Sequence, residues 1–264
     1  MAFTRREMFG VIGAAAGSCV LSSCAREALN SHRDGPAVGH APWPYTELDS
    51  QAVAERAYRY YYEGHCMYAV FKGILAPLAE RHGEPYRSFP CEMMAYGSGG
   101  AAGWGSLCGA LNGAAAAIAL FAADKEQRAG LTSRVFLWYE QAELPVWVPA
   151  VPRLEMQASP SVAHSVLCHI SVAAWSKAAG YPVGGKEQME RCARLAAETA
   201  RQTVNVLNEG LLGSRPQIVS TGRQATRCNS CHGPGGERKD ALARMTCGSC
   251  HDSLADTHPK IEAP

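Results

Sequence analysis

The sequence has no apolar run long enough to cross a membrane and almost no excess of either charge. Its 264 residues include 25 Lys and Arg against 24 Asp and Glu, a formal net charge of +1. A spanning helix needs roughly 20 apolar residues, whereas the apolar stretch at residues 8–21 is shorter and no other stretch is better suited. A near-neutral chain also lacks the basic face of most nucleic-acid-binding proteins. We therefore expect no membrane span and no nucleic-acid partner.

Motifs of nucleotide-binding enzymes and of serine hydrolases are missing as well. There is no phosphate-binding loop, no G-x-G-x-x-G at a strand–helix junction and no G-x-S-x-G elbow. Alternating β-branched residues are scarce, whereas alanine-rich apolar spacing with the helical period is frequent. The chain is therefore predicted to be mainly α, with helices near residues 51–82, 107–122, 124–143, 160–179 and 185–209. Ser159 and Pro160 suit the N-cap and first position of the fourth helix.

Composition divides the chain into four parts. Residues 1–25 are typical of an export signal, 26–50 of an extended lead-in, 51–212 of a multi-helix body, and 213–264 of a linker with an irregular tail. The tail is rich in glycine and polar residues and could not bury a core of its own. It is therefore expected to fold around a bound group.

Two C-x-x-C-H pentads lie in this tail, at residues 228–232 and 247–251. Each is the attachment motif of a c-type haem, in which two cysteine sulfurs bond to the haem and the adjacent histidine binds the iron. The predicted haem-binding residues are Cys228, Cys231, His232, Cys247, Cys250 and His251. Only fourteen residues separate the pentads, so the two haems of this dihaem tail are expected to lie close together.

Zinc and disulfides are the alternatives for the same cysteines. The spacing C-x2-C-x15-C-x2-C also fits a zinc ribbon. A zinc site made of the four thiolates, however, leaves His232 and His251 without a role. Two C-x-x-C disulfides would be strained and easily reduced. Haem is preferred because it requires a histidine after each cysteine pair.

The N-terminus carries an export signature. Thr-Arg-Arg-Glu-Met-Phe at residues 4–9, followed by the apolar stretch and small residues, predicts a bacterial twin-arginine signal and a periplasmic location. Leu-Ser-Ser-Cys at residues 21–24 also resembles a lipobox, in which Cys24 would be lipidated and would anchor the protein to a membrane surface. Cleavage after Ala25, giving a soluble protein, is the alternative.

This export route predicts a second metal site. Twin-arginine export carries folded proteins, commonly with a cofactor inserted in the cytoplasm, whereas haem c is attached outside. The body contains five cysteines, an odd number that does not suit a pure disulfide framework: Cys66, Cys91, Cys108, Cys168 and Cys192. Any one of them alone could be a buried thiol that packs as a small hydrophobe. As a set they favour a shared site in the body.

The ligand chemistry of the body cysteines is compatible with two kinds of metal centre. A glycine-rich run at residues 96–113 is expected to place Cys108 in the first turn of a helix, where the helix dipole favours the thiolate. Four thiolates suit an iron–sulfur cluster or zinc equally well. We prefer an iron–sulfur cluster because predicted haems lie in the same chain.

The body cysteines resemble a known pattern. Cys66, the element Cys108-Gly109-Ala110-x-x-Gly113, Cys168 and Cys192 resemble the C_GCAxxG_C_C family of redox-active proteins. Such a body followed by two haem motifs resembles the split-Soret cytochromes c. The resemblance implies a homodimer whose subunits each hold two bis-histidine haems and an iron–sulfur centre, with an axial histidine crossing from the partner. The family pattern places glycine before cysteine, whereas here Cys108 precedes Gly109. Cys91 is extra to the pattern and is predicted to be a bystander, with replacement of Cys66 as the alternative.

Bis-histidine haems need two further ligands. His169, adjacent to Cys168, is the first candidate and His258 is the second. His65, adjacent to Cys66, is the third. Irons with two histidines would exclude substrate, which favours electron transfer over catalysis.

The sequence thus predicts an exported dihaem cytochrome c with an iron–sulfur centre that transfers electrons between redox partner proteins. A haem enzyme acting on a small substrate, such as a nitrogen oxide or a peroxide, is the alternative if one iron lacks a sixth ligand. A zinc-stabilised binding module that uses the tail cysteines is the other alternative.

Overall fold

The computed structural model describes residues 40–157, 159–213, 223–242 and 244–251. The predicted export signal, the lipobox cysteine Cys24 and the candidate ligand His258 lie outside these residues, as do most of the lead-in and most of the linker. Within the described part, no helix is both long and apolar enough to cross a bilayer.

Helices account for most of the described chain, which confirms the mainly α prediction. They are α1 Ser50–His82, α2 Gly109–Phe121, α3 Lys125–Gln141, α4 Cys168–Ala179, α5 Lys186–Leu207, α6 Arg223–His232 and α7 Gly248–His251. A 3-10 helix, Cys91–Gly97, lies between α1 and α2, and a π-helical turn, Asn208–Leu212, extends α5. The strands β1 Glu143–Leu144 and β2 Ser161–Val162 pair antiparallel. The first three predicted helices and the fifth are found within a few residues of their predicted bounds.

Helices α1 and α5 pack together along their lengths, and α2 packs against both. The α1 helix begins after Asp49, whose side chain accepts the backbone N–H groups of Gln51 and Ala52, a capping role that aspartate commonly fills. Large side chains from the three helices, among them Phe71, Leu111 and Leu195, are almost completely buried. These helices therefore form the core on which the cysteine-bearing segments rest.

Helix α1 is interrupted directly before Cys66. Gly64 (φ −145°, ψ 15°) and His65 (φ 62°, ψ −164°) leave the helical conformation. A positive φ is uncommon for a residue with a side chain, and a β-carbon at Gly64 would collide with the ring of Tyr68. The interruption thus sets the backbone path into Cys66, which is buried.

The fourth helix begins later than the predicted residue 160. Residues 161–162 form β2, Leu167 forms an isolated bridge with Leu107, and α4 starts only at Cys168. The predicted N-cap at Ser159 is therefore wrong. Backbone pairing with other segments outweighs the local capping preference, as tertiary context commonly does.

Two glycines allow α2 to touch its neighbours. A β-carbon at Gly109 would lie 2.9 Å from the β-carbon of Cys66 and would collide with the carbonyl oxygen of Gly97. A β-carbon at Gly113 would lie 2.5 Å from the carbonyl oxygen of Met67. The glycines of the Cys-Gly-Ala-x-x-Gly element therefore permit backbone contact between α2 and α1.

We expect Gly113→Ala to lower the free energy of unfolding by about 1–3 kcal/mol, because the added methyl group must push α1 and α2 apart. The matched control is Gly130→Ala in α3, where nothing lies within 4 Å of the added carbon. That change should leave stability unchanged or raise it by up to about 1 kcal/mol through helix propensity. Urea unfolding followed by circular dichroism measures both, and equal effects of the two changes would contradict the close contact.

Candidate metal centre and haem-binding tail

A short backbone pairing holds Cys108 and Cys168 beside each other. The N–H of Cys108 donates to the carbonyl of Val166 (2.9 Å), and the N–H of Cys168 donates to the carbonyl of Ser106 (2.7 Å). Cys108 is the N-cap of α2, and Cys168 is the first residue of α4. Two helix N-termini, which favour negative charge, therefore meet at these cysteines.

The glycine-rich run approaches the same point from the other side. A β-carbon at Gly100 would lie 2.9 Å from the β-carbon of Cys168, and one at Gly105 would lie 3.1 Å from that of His169. Both glycines have positive φ values, 68° and 71°, which glycine adopts without strain. The run therefore wraps closely around the start of α4.

Cys66 from α1 and Cys192 from α5 complete the cysteine set, defined here as Cys66, Cys108, Cys168 and Cys192. The thiol of Cys66 interacts electrostatically with the thiols of the other three cysteines. The thiols of Cys108 and Cys168 also interact with that of Cys192. Four helices thus bring four cysteines into one region, and all but the half-buried Cys168 are buried.

Cys91 lies apart from this set. It is half-buried at the start of the 3-10 helix, and burial raises the pKa of its thiol to about 11, with Glu92 and Lys72 as its charged neighbours. None of the four cysteines contributes to that shift. Its position agrees with the prediction of a bystander.

Burial controls the protonation of the cysteine set. Desolvation raises the pKa of Cys108 and raises that of Cys168 to about 12. Burial therefore raises the pKa of Cys108 in spite of its position at the start of α2, although the hydroxyl of Tyr139 and the N–H of Ala110 act in the opposite direction. The interaction with the Cys66 thiol lowers the pKa of Cys192, and the guanidinium of Arg191 acts in the same direction. Cys192 is thus the thiol that ionises most readily.

In the ranges that the structure describes, no three His, Cys, Asp or Glu side chains are placed to hold a single metal ion. Four cysteines suit an iron–sulfur cluster as well as zinc, so the kind of centre stays a prediction.

The two pentads lie next to each other in the tail, on α6 and α7. The thiol of Cys247 interacts electrostatically with that of Cys228. His232 Nδ1 lies 2.7 Å from Asp240 Oδ1. Metal-binding histidines characteristically donate one ring N–H to a carboxylate, which leaves the other nitrogen for the metal. The contact of His232 with Asp240 is of this kind.

The tail is anchored to α3 beside the cysteine set. The backbone N–H of Thr246 donates to Glu140 Oε1 (3.1 Å), and its hydroxyl donates to Oε2 (3.3 Å). Glu140 is buried, and its neighbour in the chain, Tyr139, interacts electrostatically with Cys108. The second pentad, which begins at Cys247, is thus held by a helix whose adjacent residue interacts with a cysteine of the set.

A cavity of about 560 Å³ lies between α3 and the tail. Apolar and basic side chains both line it, including Phe136, Leu137, Val166, Met245, Lys125, Arg128 and Arg244. An apolar wall beside basic groups fits a flat porphyrin that carries carboxylates, so the residues present fit a haem.

The candidate distal ligands His169 and His65 are exposed. His169 is the second residue of α4, and His65 lies at the interruption of α1 with its ring against Tyr61. An exposed imidazole is available to another segment or another chain. The second candidate, His258, is not among the described residues.

Sequence reasoning missed three residues of this region. Glu140 and Arg191 carry no motif, and only the folded structure brings them to the tail and to the cysteine set. Asp240 could have been suspected, because a carboxylate partner is typical of a metal-binding histidine and Asp240 lies eight residues after His232.

Comparisons with known proteins agree with this geometry. The C_GCAxxG_C_C family, described as "Putative redox-active protein", matches residues 65–206. The chain is 32% identical over 272 aligned positions to the split-Soret cytochrome c of Desulfovibrio desulfuricans, with 97% of each chain covered. A solved structure of that organism's split-Soret cytochrome c, described as containing a novel iron centre, matches with a TM-score of 0.76 and 32% identity, covering 84% of this chain and 95% of that one. The chain therefore belongs to the split-Soret cytochrome c family, within the C_GCAxxG_C_C redox-active proteins.

Proposed function

We propose that this protein is an exported dihaem cytochrome c with an iron–sulfur centre and that it transfers electrons between redox partner proteins. The observation that carries the proposal is the pair of hydrogen bonds from Thr246 to Glu140, since Tyr139, the residue before Glu140, interacts electrostatically with Cys108. These contacts support electron transfer between a haem-attachment segment and the cysteine set. The split-Soret cytochrome c that this chain resembles, and the iron centre described for its structure, support the same assignment.

The tail residues hold the two haems in this proposal. The pentad cysteines form the covalent bonds, and His232 and His251 bind the irons. Asp240 orients the ring of His232, while Lys125, Arg128 and Arg244 are available to the carboxylates of a haem in the neighbouring cavity. Bound haems supply one-electron oxidation and reduction. The protein's part is to position them and to exclude water from one face.

The body residues hold the cluster. Cys66, Cys108, Cys168 and Cys192 are its proposed ligands, and the buried setting keeps the site away from solvent. Iron binding requires the loss of the thiol protons that burial retains. Assembly is therefore coupled to proton release.

The location and the assembly state are part of the proposal. The twin-arginine pattern supports export of a folded body to the periplasm. A lipid on Cys24, which would attach the protein to a membrane surface, and cleavage after Ala25 are the two alternatives for its N-terminus. The exposed rings of His169 and His65 support a homodimer in which a histidine of the partner subunit completes the coordination of a haem. His258 is the further candidate.

A redox titration of the purified protein, followed by absorption and EPR spectroscopy, tests the proposal. We expect reducible c-type bands from two six-coordinate haems and a separate signal from non-haem iron. The absence of c-type bands would refute the proposal and favour the zinc-stabilised module. Carbon monoxide binding to the reduced protein would instead favour a haem enzyme, because it requires an iron without a sixth ligand.

Asp240 provides a more specific test. The carboxylate strengthens His232 as a ligand of the oxidised iron, so Asp240→Asn should raise the reduction potential of one haem while the other is unchanged. We expect a shift of about tenfold in the ratio of reduced to oxidised haem at a fixed potential, or about 59 mV. Spectroelectrochemistry resolves the two haems, and an equal shift of both or of neither would contradict the assigned contact.

A further inference from the structure

Helix α5 carries two buried arginines whose charges are balanced differently. Arg194 is 3% exposed, and its Nε donates to Glu190 Oε1 at 2.7 Å in an ion pair. Arg191 is 2% exposed, yet it forms no ion pair with a carboxylate among the residues that the structure describes. One of the two cations therefore has a counter-charge from the protein's carboxylates and the other does not.

The guanidinium of Arg191 is held beside the cysteine set by neutral groups. Its Nη2 donates to the hydroxyl and the carbonyl of Ser171 (2.8 and 3.4 Å), and that hydroxyl also accepts from Tyr139 at 2.9 Å. Its Nη1 lies 3.9 Å from the sulfur of Cys192. Its Nε is buried and has no hydrogen-bond partner in the described part of the chain. One donor of this cation thus has no partner among the described residues, while another lies beside a cysteine of the set.

A buried cation without a counter-charge is unfavourable, so the fold must supply an anion near Arg191. The groups that interact with it electrostatically are Cys192, Tyr139, Cys108 and Cys168. Burial raises the pKa of the Tyr139 hydroxyl, which keeps it neutral, whereas the cysteines are anions as thiolates. Four cysteinates bound to an iron–sulfur core leave a net negative charge, because the four thiolate charges exceed the positive charge of the core.

We infer that Arg191 is the counter-cation of the cysteinate centre and that it raises the reduction potential of that centre. The inference rests on the proposed function. Reduction of the centre by a reduced haem transfers one electron, oxidises the haem by one electron and moves no atom or proton. The electron adds one negative charge beside the guanidinium, and a nearby cation in a low-dielectric interior favours the more negative state.

The test compares Arg191→Gln, Arg191→Lys and the control Arg201→Gln in the full-length, haem-loaded protein. Arg201 lies on the same helix about 15 Å further along, pairs with Glu198 at 3.1 Å and is 36% exposed, so its loss removes the same charge far from the cysteines. EPR-monitored redox titration measures the potential of the centre, and absorbance measures those of the haems.

Arg191→Gln should lower the ratio of reduced to oxidised centre at least tenfold at a fixed potential, about 59 mV for one electron. Arg191→Lys should recover most of this loss, and Arg201→Gln should leave the centre unchanged. The haem potentials should stay the same in all three. A centre with the original potential in Arg191→Gln would overturn the inference.

The remaining outcomes are also decisive. If Arg191→Gln fails to retain non-haem iron, recovery of the iron by Arg191→Lys supports a charge role. Failure of both variants with unchanged haem content and helicity overturns it in favour of packing. Absence of non-haem iron from the unaltered protein would overturn the proposed centre and the inference together, which separates that case from a failure of the inference alone.

Discussion

Replacing Cys228 and Cys231 by alanine is expected to halve the haem content, from two haems to one per chain. Covalent attachment requires the cysteine sulfurs of a pentad, and the first pentad contributes none after this change. The same replacement of Cys247 and Cys250 should also leave one haem. Haem per chain, measured by absorbance after denaturation and by the mass of the intact protein, checks both variants.

Cys91→Ser is the matched control for this experiment, because Cys91 lies apart from the tail and from the cysteine set. It should keep both haems. A protein that contains one zinc ion and no colour, and that loses the zinc in either double variant, would contradict the haem assignment. Retention of two haems after loss of one pentad would contradict it as well.

Cys192→Ser should abolish most of the non-haem iron while both haems remain. Cys192 is buried, its sulfur lies beside Arg191, and its thiol ionises most readily in the cysteine set. Serine is nearly the same size, so the fold should survive the change, but its hydroxyl is a poor replacement for a thiolate that binds iron. Non-haem iron, acid-labile sulfide and the EPR signal of the centre measure the loss.

The comparison with Cys91→Ser separates a ligand from an ordinary thiol. That variant should retain the full content of iron and sulfide, since the fifth cysteine has only Glu92 and Lys72 as charged neighbours. Equal losses in the two variants would indicate a general effect of removing a thiol. Full iron retention in Cys192→Ser would remove this residue from the proposed ligands.

Local sequence predicted most of the helices because apolar periodicity and capping act over a few residues. Asp49 caps α1 within three residues, and α5 keeps its predicted span. The same rules failed at Ser159 and Pro160, whose capping signal is genuine but weaker than the backbone pairing of residues 161–168 with distant segments. The interruption of α1 at Gly64 was also missed, since an isolated glycine is compatible with a continuous helix.

The same distinction between local and long-range interactions applies to the candidate site. The sequence by itself determined the two haem-attachment motifs, because each pentad acts as five consecutive residues, and it supplied the cysteine pattern that marks the family. Only the tertiary structure decided that Cys66, Cys108, Cys168 and Cys192 converge and that Glu140 accepts hydrogen bonds from Thr246. It also decided that Arg191 is buried with no carboxylate partner in the part of the chain that the structure describes. Each of these features joins residues that are far apart in the chain, so no local pattern predicts it. Whether the charge of a residue such as Arg191 is balanced depends on its burial and its neighbours in the fold, which the residue type alone does not give.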